Sequence, residues 1–508
     1  MQKEKRTVMS KVLRWIEIGG NALPHPATLF GGLAVLVLIF SWIGGYLFDW
    51  VATHPATGET IHAVNLLSKE GFHRILLEMV ENYTGFAPLG IVMVALLGIG
   101  IAESSGLISA AIRLLVLKSP RSIITFVIVL AGIISNTASD LGYVLIIPMG
   151  AVIFHSVGRH PIAGLAAAFA GVSGGFSANL LIGTIDPLLA GLSTEAARII
   201  DPEYYVLPTA NYYFMAVSTF IIAGTGTWVT NRFVEPRLGQ YKGSVPPEPI
   251  EKLSRVERKA LIWTIVTAFV WLAILVAGLI PEQGFLRGPE NSVLRSPVLK
   301  GFIGVLFLMA ASLGIVYGFI TGKFKNDSDV VKGMVSNFKT LATFLVLVFF
   351  AAQFVAYFKW SNLGLIIAID GAQILQEMDM GMVPLLILFI LLSGFINLFM
   401  GSASAKWAIL GPVFIPMFML LGYSPELSQA VFRVGDSVTN IISPMMSFFA
   451  LILVYFEKYD DKAGIGTLIS TMIPYTVVFF IAWTALLIGW TLLEIPLGPG
   501  SGIFYPAG

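Results

Sequence analysis

The sequence predicts an all-α integral membrane protein with about nine transmembrane helices plus two opposed re-entrant hairpins, arranged as inverted repeats. Three observations predict it. Of 508 residues, 56% are hydrophobic and only 12% charged, with a mean hydropathy of +0.83, whereas soluble domains carry about 25% charged residues. Apolar runs of about twenty residues, the length that crosses a bilayer core, recur along the whole chain. The same order of polar and proline interruptions occurs once in each half.

Taken in order, the runs lie at about 27–48, 86–117, 161–192, 209–231, 258–280, 299–321, 340–358, 425–455 and 466–493. Two further apolar segments, about 121–156 and 382–421, have polar residues in their middle. The first tip holds Ser135, Asn136, Thr137, Ser139 and Asp140, and the second Gly401, Ser402 and Ser404. Irregular backbone at membrane depth is tolerated only where protein or a cavity encloses it, so both segments read as re-entrant hairpins beside a binding site.

Short loops rich in Lys and Arg favour the cytoplasm. The N-terminal stretch has Lys3, Lys5, Arg6, Lys11 and Arg14, and the connection after Thr230 has Arg232, Arg237, Lys242, Lys252, Arg255, Arg258 and Lys259. Both are placed inside. The basic start lacks the short apolar region and cleavage site of a signal peptide and reads as retained. Lys118, Arg121 and Arg159 flank the first hairpin, whereas Asp370, Glu377 and Asp379 precede the second, so the two enter from opposite faces. Nine crossings then leave the N-terminus cytoplasmic and the C-terminus periplasmic.

The repeat is visible in the interruptions. Ser135-Asn136-Thr137 is followed by Pro148, Pro161, Gly171 and Asn179; Gly401-Ser402-Ala403-Ser404 is followed by Pro412, Pro425, Gly435 and Asn440. Inverted repeats with a midplane site at their interface are the architecture of many secondary transporters. Residues 1–508 read as a single transmembrane domain, with core elements at about 86–231 and 340–493 and scaffold or oligomer elements at about 27–48 and 258–321.

Several function classes are excluded. A net charge of +1 offers no basic face for nucleic acid, and the absence of Cys removes disulfides and thiolate chemistry. Six His residues show no metal-binding spacing, and no GxxxxGK[ST] motif supports an ATP motor. No cofactor is predicted.

The residues that could carry chemistry cluster at the second tip and the span after it. Asp436 lies about a dozen residues into a run, where a carboxylate is costly and marks a functional site. Asn397 and Ser404 on the facing hairpin offer further oxygens. Arg433, one turn from Asp436, is either its ion-pair partner or a bidentate partner for a substrate carboxylate, and Lys406 is a second cation. Asp186, held out of regular helix by Pro187, either faces the central cavity or caps the half-helix that follows. Trp407 could stack on an aromatic ring and donate through Nε1, or anchor at an interface. Pro425 and Pro444 shape the break, and Glu103 is a further ionisable residue within a run. Asp140, Asp186 and Asp436 make an intramembrane aspartyl enzyme conceivable, but no GxGD-type motif surrounds them. A continuous channel suits two opposed hairpins less well than a gated site.

Strings along nearly the whole chain resemble the AbgT family of p-aminobenzoyl-glutamate transporters. They include Gly85-Phe86-Ala87-Pro88-Leu89-Gly90, Val157-Gly158-Arg159-His160-Pro161, Leu192-Ser193-Thr194-Glu195-Ala196, Glu235-Pro236-Arg237-Leu238-Gly239-Gln240 and Trp360-Ser361-Asn362. The resemblance implies nine spans, two opposed hairpins and a homodimer among the lipids of the bacterial inner membrane. It implies a substrate that is an aromatic carboxylate such as p-aminobenzoyl-glutamate, or, in exporter members, a sulfonamide antimetabolite. It also implies coupling to Na+ or H+, with a sodium site at Asn397 and Asp436, and a substrate-pocket Trp at Trp407. Ser404, Asp186, Arg433, Pro425 and Pro444 complete the expected transport site.

Overall fold

The computed structural model describes residues 24–53, 58–117, 119–137, 142–246, 252–293, 295–378 and 380–505. Helix α1 (Pro26–Trp42) begins at a proline, whose missing N–H is harmless in a first turn, and continues through a π turn to Leu47. Strands β1 (Val51–Thr53) and β2 (Thr60–His62) then pair antiparallel, an element too short to leave a sequence signal. Helix α2 (Lys69–Thr84), capped by Ser68, leads into α3 (Ala87–Ser104). The expected single run at 86–117 is divided, because Gly106 has a φ of +85° that L side chains rarely adopt, and α4 (Leu107–Leu117) starts afresh beyond it.

Helices α5 (Ile124–Ser135) and α6 (Ile147–Ser156) form the arms around the first tip, with a π turn at Gly142–Ile146. Of that tip, Ser139 and Asp140 lie outside the described residues. The next run is helical in α7 (Pro161–Phe169) and a π turn to Gly174, non-helical over 175–184, and helical again in α8 (Ile185–Ala197). Helix α9 (Tyr212–Val229) continues to Leu238. Arg159 ties the end of the first hairpin to that continuation: Nε donates to Glu235 Oε1 at 2.9 Å, and other donors reach Thr125 and Asn231.

Helix α10 (Arg255–Leu279) opens with a Ser254–Glu257 capping box, and α11 (Phe302–Thr321) ends at Gly322 in the left-handed region. Helix α12 (Asp327–Trp360) is longer than the run at 340–358. It meets α13 (Leu363–Glu377), absent from the sequence-based elements, at a 70° bend through Asn362, whose φ is +58°. The arms around the second tip are α14 (Met382–Asn397) and α15 (Ala403–Leu420). Helix α16 (Pro425–Asn440), a break at 441–448, α17 (Phe449–Glu457) and α18 (Ile465–Leu492) complete the chain.

Among the described residues, seven helices are long and apolar enough to cross a bilayer, or eight elements if the bent pair is one span. The sequence-based nine differs in two ways. It includes the broken runs 161–192 and 425–455, whose pieces are individually too short, and it omits Ala403–Leu420, which is long enough alone.

In each half of the chain the helix before the polar tip packs on the later broken run in the same way. Asn136 Nδ2 donates to the Val172 carbonyl at 3.0 Å, and Asn397 Nδ2 to the Asp436 carbonyl at 2.7 Å. One residue earlier, Gly171 and Gly435 lie where any Cβ would strike a hairpin carbonyl, that of Val129 or Ile390. Residues 136 and 397, 171 and 435, and 172 and 436 thus hold equivalent places. The two halves meet at their breaks, where Ser177 N donates to Ser437 Oγ at 3.2 Å and Tyr143 stacks on Phe448 at 4.5 Å.

Candidate functional site

Helix α16 organises the site. Glu426, Gln429, Arg433, Asp436 and Asn440 recur at intervals of three and four, which puts them on one helical face, and all five are buried. Polar groups so placed require partners, and four other elements supply them.

Arg433 Nη2 donates to Asp186 Oδ1 at 2.5 Å, with both residues almost fully buried. Asp186 Oδ2 accepts from Gly183 N at 2.7 Å. Asp186 is the second residue of α8, within the helix and not held out of it by Pro187, and Thr184 at the start of α8 makes no side-chain cap. Its carboxylate ties Gly183, ahead of the helix, and turns its other oxygen to a cation from the second half of the chain. Arg433 is thus paired with Asp186 and not with the nearby Asp436. Its buried Nε has no hydrogen-bond partner, which leaves one donor edge of the guanidinium open.

Asp436 pairs with Lys406, from the first turn of α15; the lysine is fully buried and Asp436 is 1% exposed. Lys406 Nζ also donates to Asn397 Oδ1. The Asn397 amide nitrogen is held by the Asp436 carbonyl at 2.7 Å, Thr439 Oγ1 at 2.8 Å and Asn440 Oδ1 at 2.8 Å, which fixes Oδ1 toward the ammonium. Apart from Lys406, the Asp436 carboxylate oxygens have no hydrogen-bond partner of proper geometry. The two oxygens expected to hold sodium therefore hold an ammonium group, and as arranged here they do not fit a free ion as well.

Trp407 is fully buried and stacks on Phe432 with ring centroids 4.6 Å apart. Its Nε1 donates to Ser193 Oγ at 2.9 Å, and Ser193 donates onward to Gln429 Oε1 at 2.7 Å. Gln429 Nε2 reaches Asn211 Oδ1 at 2.8 Å, and Asn211 Nδ2 the Glu426 carbonyl at 2.9 Å. The chain ends at Glu426, whose carboxylate accepts from Tyr204 OH at 2.9 Å. Trp407 is thus at depth and is not an interfacial anchor. In this conformation its donor is satisfied by protein.

The remaining expected residues are structural neighbours. Ser404 Oγ lies 3.2 Å from Ser402 Oγ, which caps α15 through Ala405 N. Gly401 abuts the Met445 carbonyl in the second break, where a Cβ would not fit. Pro425 is the buried first residue of α16, and Pro444 lies half-buried in the break. Ser135 Oγ and Thr137 Oγ1 bond back to the Gly132 and Ile134 carbonyls at 2.6 and 2.8 Å. Glu103 is half-buried near the end of α3. Ser193, Gln429, Asn211 and Glu426 were not singled out in the sequence, although the three-and-four spacing along α16 was a readable signal for two of them.

Asp186 and Asp436 each have a cation of their own. The like-charged carboxylate pair that sets an aspartyl dyad's acid and base apart is therefore not what these two form. An apolar recess of about 260 Å³ lies between α13, α14 and α15, lined by Leu385, Phe389, Phe414, Met417 and Phe418 among others. It lacks the polar groups that would orient a carboxylate.

The sequence profile of the AbgT putative transporter family matches residues 11–505. The p-aminobenzoyl-glutamate transport protein of Escherichia coli (strain K12) is 38% identical over 491 residues, 96% of each chain. Among solved structures, Neisseria gonorrhoeae MtrF, presented as illuminating a class of antimetabolite efflux pumps, superposes with a TM-score of 0.91 at 52% identity, covering 96% of this chain and 100% of that one. The Alcanivorax borkumensis YdaH transporter superposes with a TM-score of 0.88 at 47% identity, covering 94% and 100%. Homologues across the whole length are transporters and efflux pumps, not enzymes, and the chain belongs to the AbgT family of membrane transporters.

Proposed function

We propose that this chain is a secondary active transporter of p-aminobenzoyl-glutamate or a similar aromatic carboxylate, working by alternating access in the bacterial inner membrane. The observation that supports it best is that α16 carries both Arg433, whose Nε has no hydrogen-bond partner among the described residues, and Phe432, on which Trp407 stacks. A guanidinium and stacked rings presented by one helix match a ligand with a carboxylate at one end and an aromatic ring at the other. Breaks at 175–184 and 441–448 interrupt the run in each half of the chain, next to α8 and α16 in sequence, as expected of discontinuous helices at a repeat interface.

In this reading the segments at 121–156 and 382–421 are re-entrant hairpins within inverted repeats. Residues 86–231 and 340–493 are the transport core, and 27–48 and 258–321 are scaffold. Helix α10 turns Ile262, Trp263, Phe269 and Val270 outward, a face for lipid or for a second copy in a homodimer. The N-terminus is cytoplasmic and the C-terminus periplasmic. A Na+ or H+ gradient drives transport, and no cofactor takes part. The test is accumulation of labelled p-aminobenzoyl-glutamate in proteoliposomes under a sodium or a proton gradient imposed singly. Accumulation under one gradient identifies the driver, and absence of accumulation under either sinks this reading.

A second reading is supported by the MtrF likeness: proton-driven export of sulfonamide antimetabolites. Cells expressing the chain would then hold less labelled sulfonamide, and collapsing the proton gradient would abolish the difference.

Recognition by Trp407 has its own check. Trp407→Ala removes the ring that stacks on Phe432 and the donor to Ser193. Affinity for the aromatic substrate should fall by about 0.5–1.5 kcal/mol, the worth of an aromatic pair, while its unlabelled glutamate fragment should bind as before. Equal losses for both ligands would make Trp407 a packing residue.

A further inference from the structure

We infer that Lys406 is the resident cation of the second hairpin, occupying with its ammonium group the place where a free monovalent ion would meet Asn397 and Asp436. Nζ contacts Asn397 Oδ1 and Asp436 Oδ1 together, and the lysine is wholly enclosed. Asn397 cannot turn its oxygen elsewhere without losing the three acceptors that hold its amide nitrogen. Ser443 Oγ fixes the same residue's carbonyl at 3.0 Å. The spot is therefore defined by the fold before the lysine arrives.

The first half shows the same spot without a cation. Asn136 donates to the Val172 carbonyl as Asn397 does to that of Asp436. Val172 stands in the place of Asp436, and a Cβ at Gly142 would strike both Val172 and Ser135. Among the described residues no lysine reaches this spot, and Asn136 Oδ1 is buried with no partner. One oxygen aimed at the spot is thus common to both halves. Among the described residues the second half adds an acid and a base, and it adds them as a pair.

Charge then decides occupancy. Asp436 has one negative charge and Lys406 balances it. A sodium ion on the same carboxylate would sit beside the ammonium in surroundings that screen poorly. At about 4 Å and an effective dielectric of about 20, that repulsion lowers affinity by about a thousandfold. Sodium and the ammonium group exclude one another. The second hairpin bridges to α16 through a cation that never leaves the protein.

The test uses the full chain in lipid nanodiscs and equilibrium retention of 22Na+ that excess unlabelled NaCl displaces. Lys406→Met should retain one sodium more than the wild type, with affinity raised at least about a hundredfold, and adding Asp436→Asn should remove the extra ion. Equal or lower retention in Lys406→Met overturns the inference. If Lys406→Met does not fold, the wild type is compared with the charge-neutral Lys406→Met, Asp436→Asn double variant: the sodium-specific rise in Tm over choline chloride should be the same in both, and a larger rise in the wild type overturns the inference. Neither measurement depends on which organic anion is carried, so the substrate reading can fail while this one stands, and the reverse.

Discussion

Asp436→Asn should abolish gradient-driven accumulation and also weaken the fold. The carboxylate is 1% exposed and is the counter-charge of a fully buried lysine. An amide leaves that ammonium group uncompensated, and removing one partner of a buried pair costs about 3–5 kcal/mol. Lower yield alone would therefore say little about transport. The informative comparison is Lys406→Met combined with Asp436→Asn, which restores neutrality with side chains of similar volume. That double variant should recover most of the lost Tm while accumulation of the labelled substrate stays at background. Recovery of both would reduce the pair to a structural brace.

Asp186→Asn should produce the second large effect, on stability and across the two halves. The amide oxygen can still accept from Gly183 N, so the tie to the residue ahead of α8 survives. What is lost is the negative charge facing Arg433 at 2.5 Å. The expected cost is again about 3–5 kcal/mol, read as a fall in detergent Tm. Adding Arg433→Gln should return most of it, because the guanidinium then no longer needs a partner. Any proton dependence of transport carried by the Lys406–Asp436 pair should persist in Asp186→Asn, since both residues are untouched. Identical losses of stability in the single and double variants would show that the two side chains do not compensate one another.

The apolar runs and their interruptions were legible in the sequence because length and proline placement are strong signals. Pro161 and Pro425 start helices, and the breaks at 175–184 and 441–448 follow the polar tips as the repeat implied. The division at Gly106 and the bend at Asn362 were not legible. A lone glycine or asparagine in an apolar stretch is compatible with an unbroken helix, and only the surrounding packing selects the positive φ. At the site, the sequence brought forward Asp186, Asn397, Trp407, Arg433 and Asp436, but the pairing of charges was hidden. Arg433 and Asp436 are one turn apart, which suggests an ion pair along the helix. Spacing within a helix says nothing about the carboxylate or amine that another element delivers. Asp186 arrives from the start of a helix about 250 residues earlier in the chain, and Lys406 from the first turn of α15.

Packing differs sharply between the inside of each half and the boundary between them. Within a half, contacts are glycine against bare carbonyl: Gly171 on Val129, Gly435 on Ile390, Gly401 on Met445 and Gly183 on Asn136. Surfaces that approach this closely have no slack to slide, so a hairpin and the broken run beneath it must travel as one stiff block. Across the boundary each of these contacts involves a side chain that can rotate away: the Ser437 hydroxyl on Ser177 N, Tyr143 on Phe448, Trp407 on Ser193. In the alternating-access reading proposed above, a rearrangement that exposes the site would shear along this seam. An ion pair, Asp186 with Arg433, crosses it, so an arriving carboxylate that takes over the guanidinium would also unfasten the latch that keeps the blocks in register.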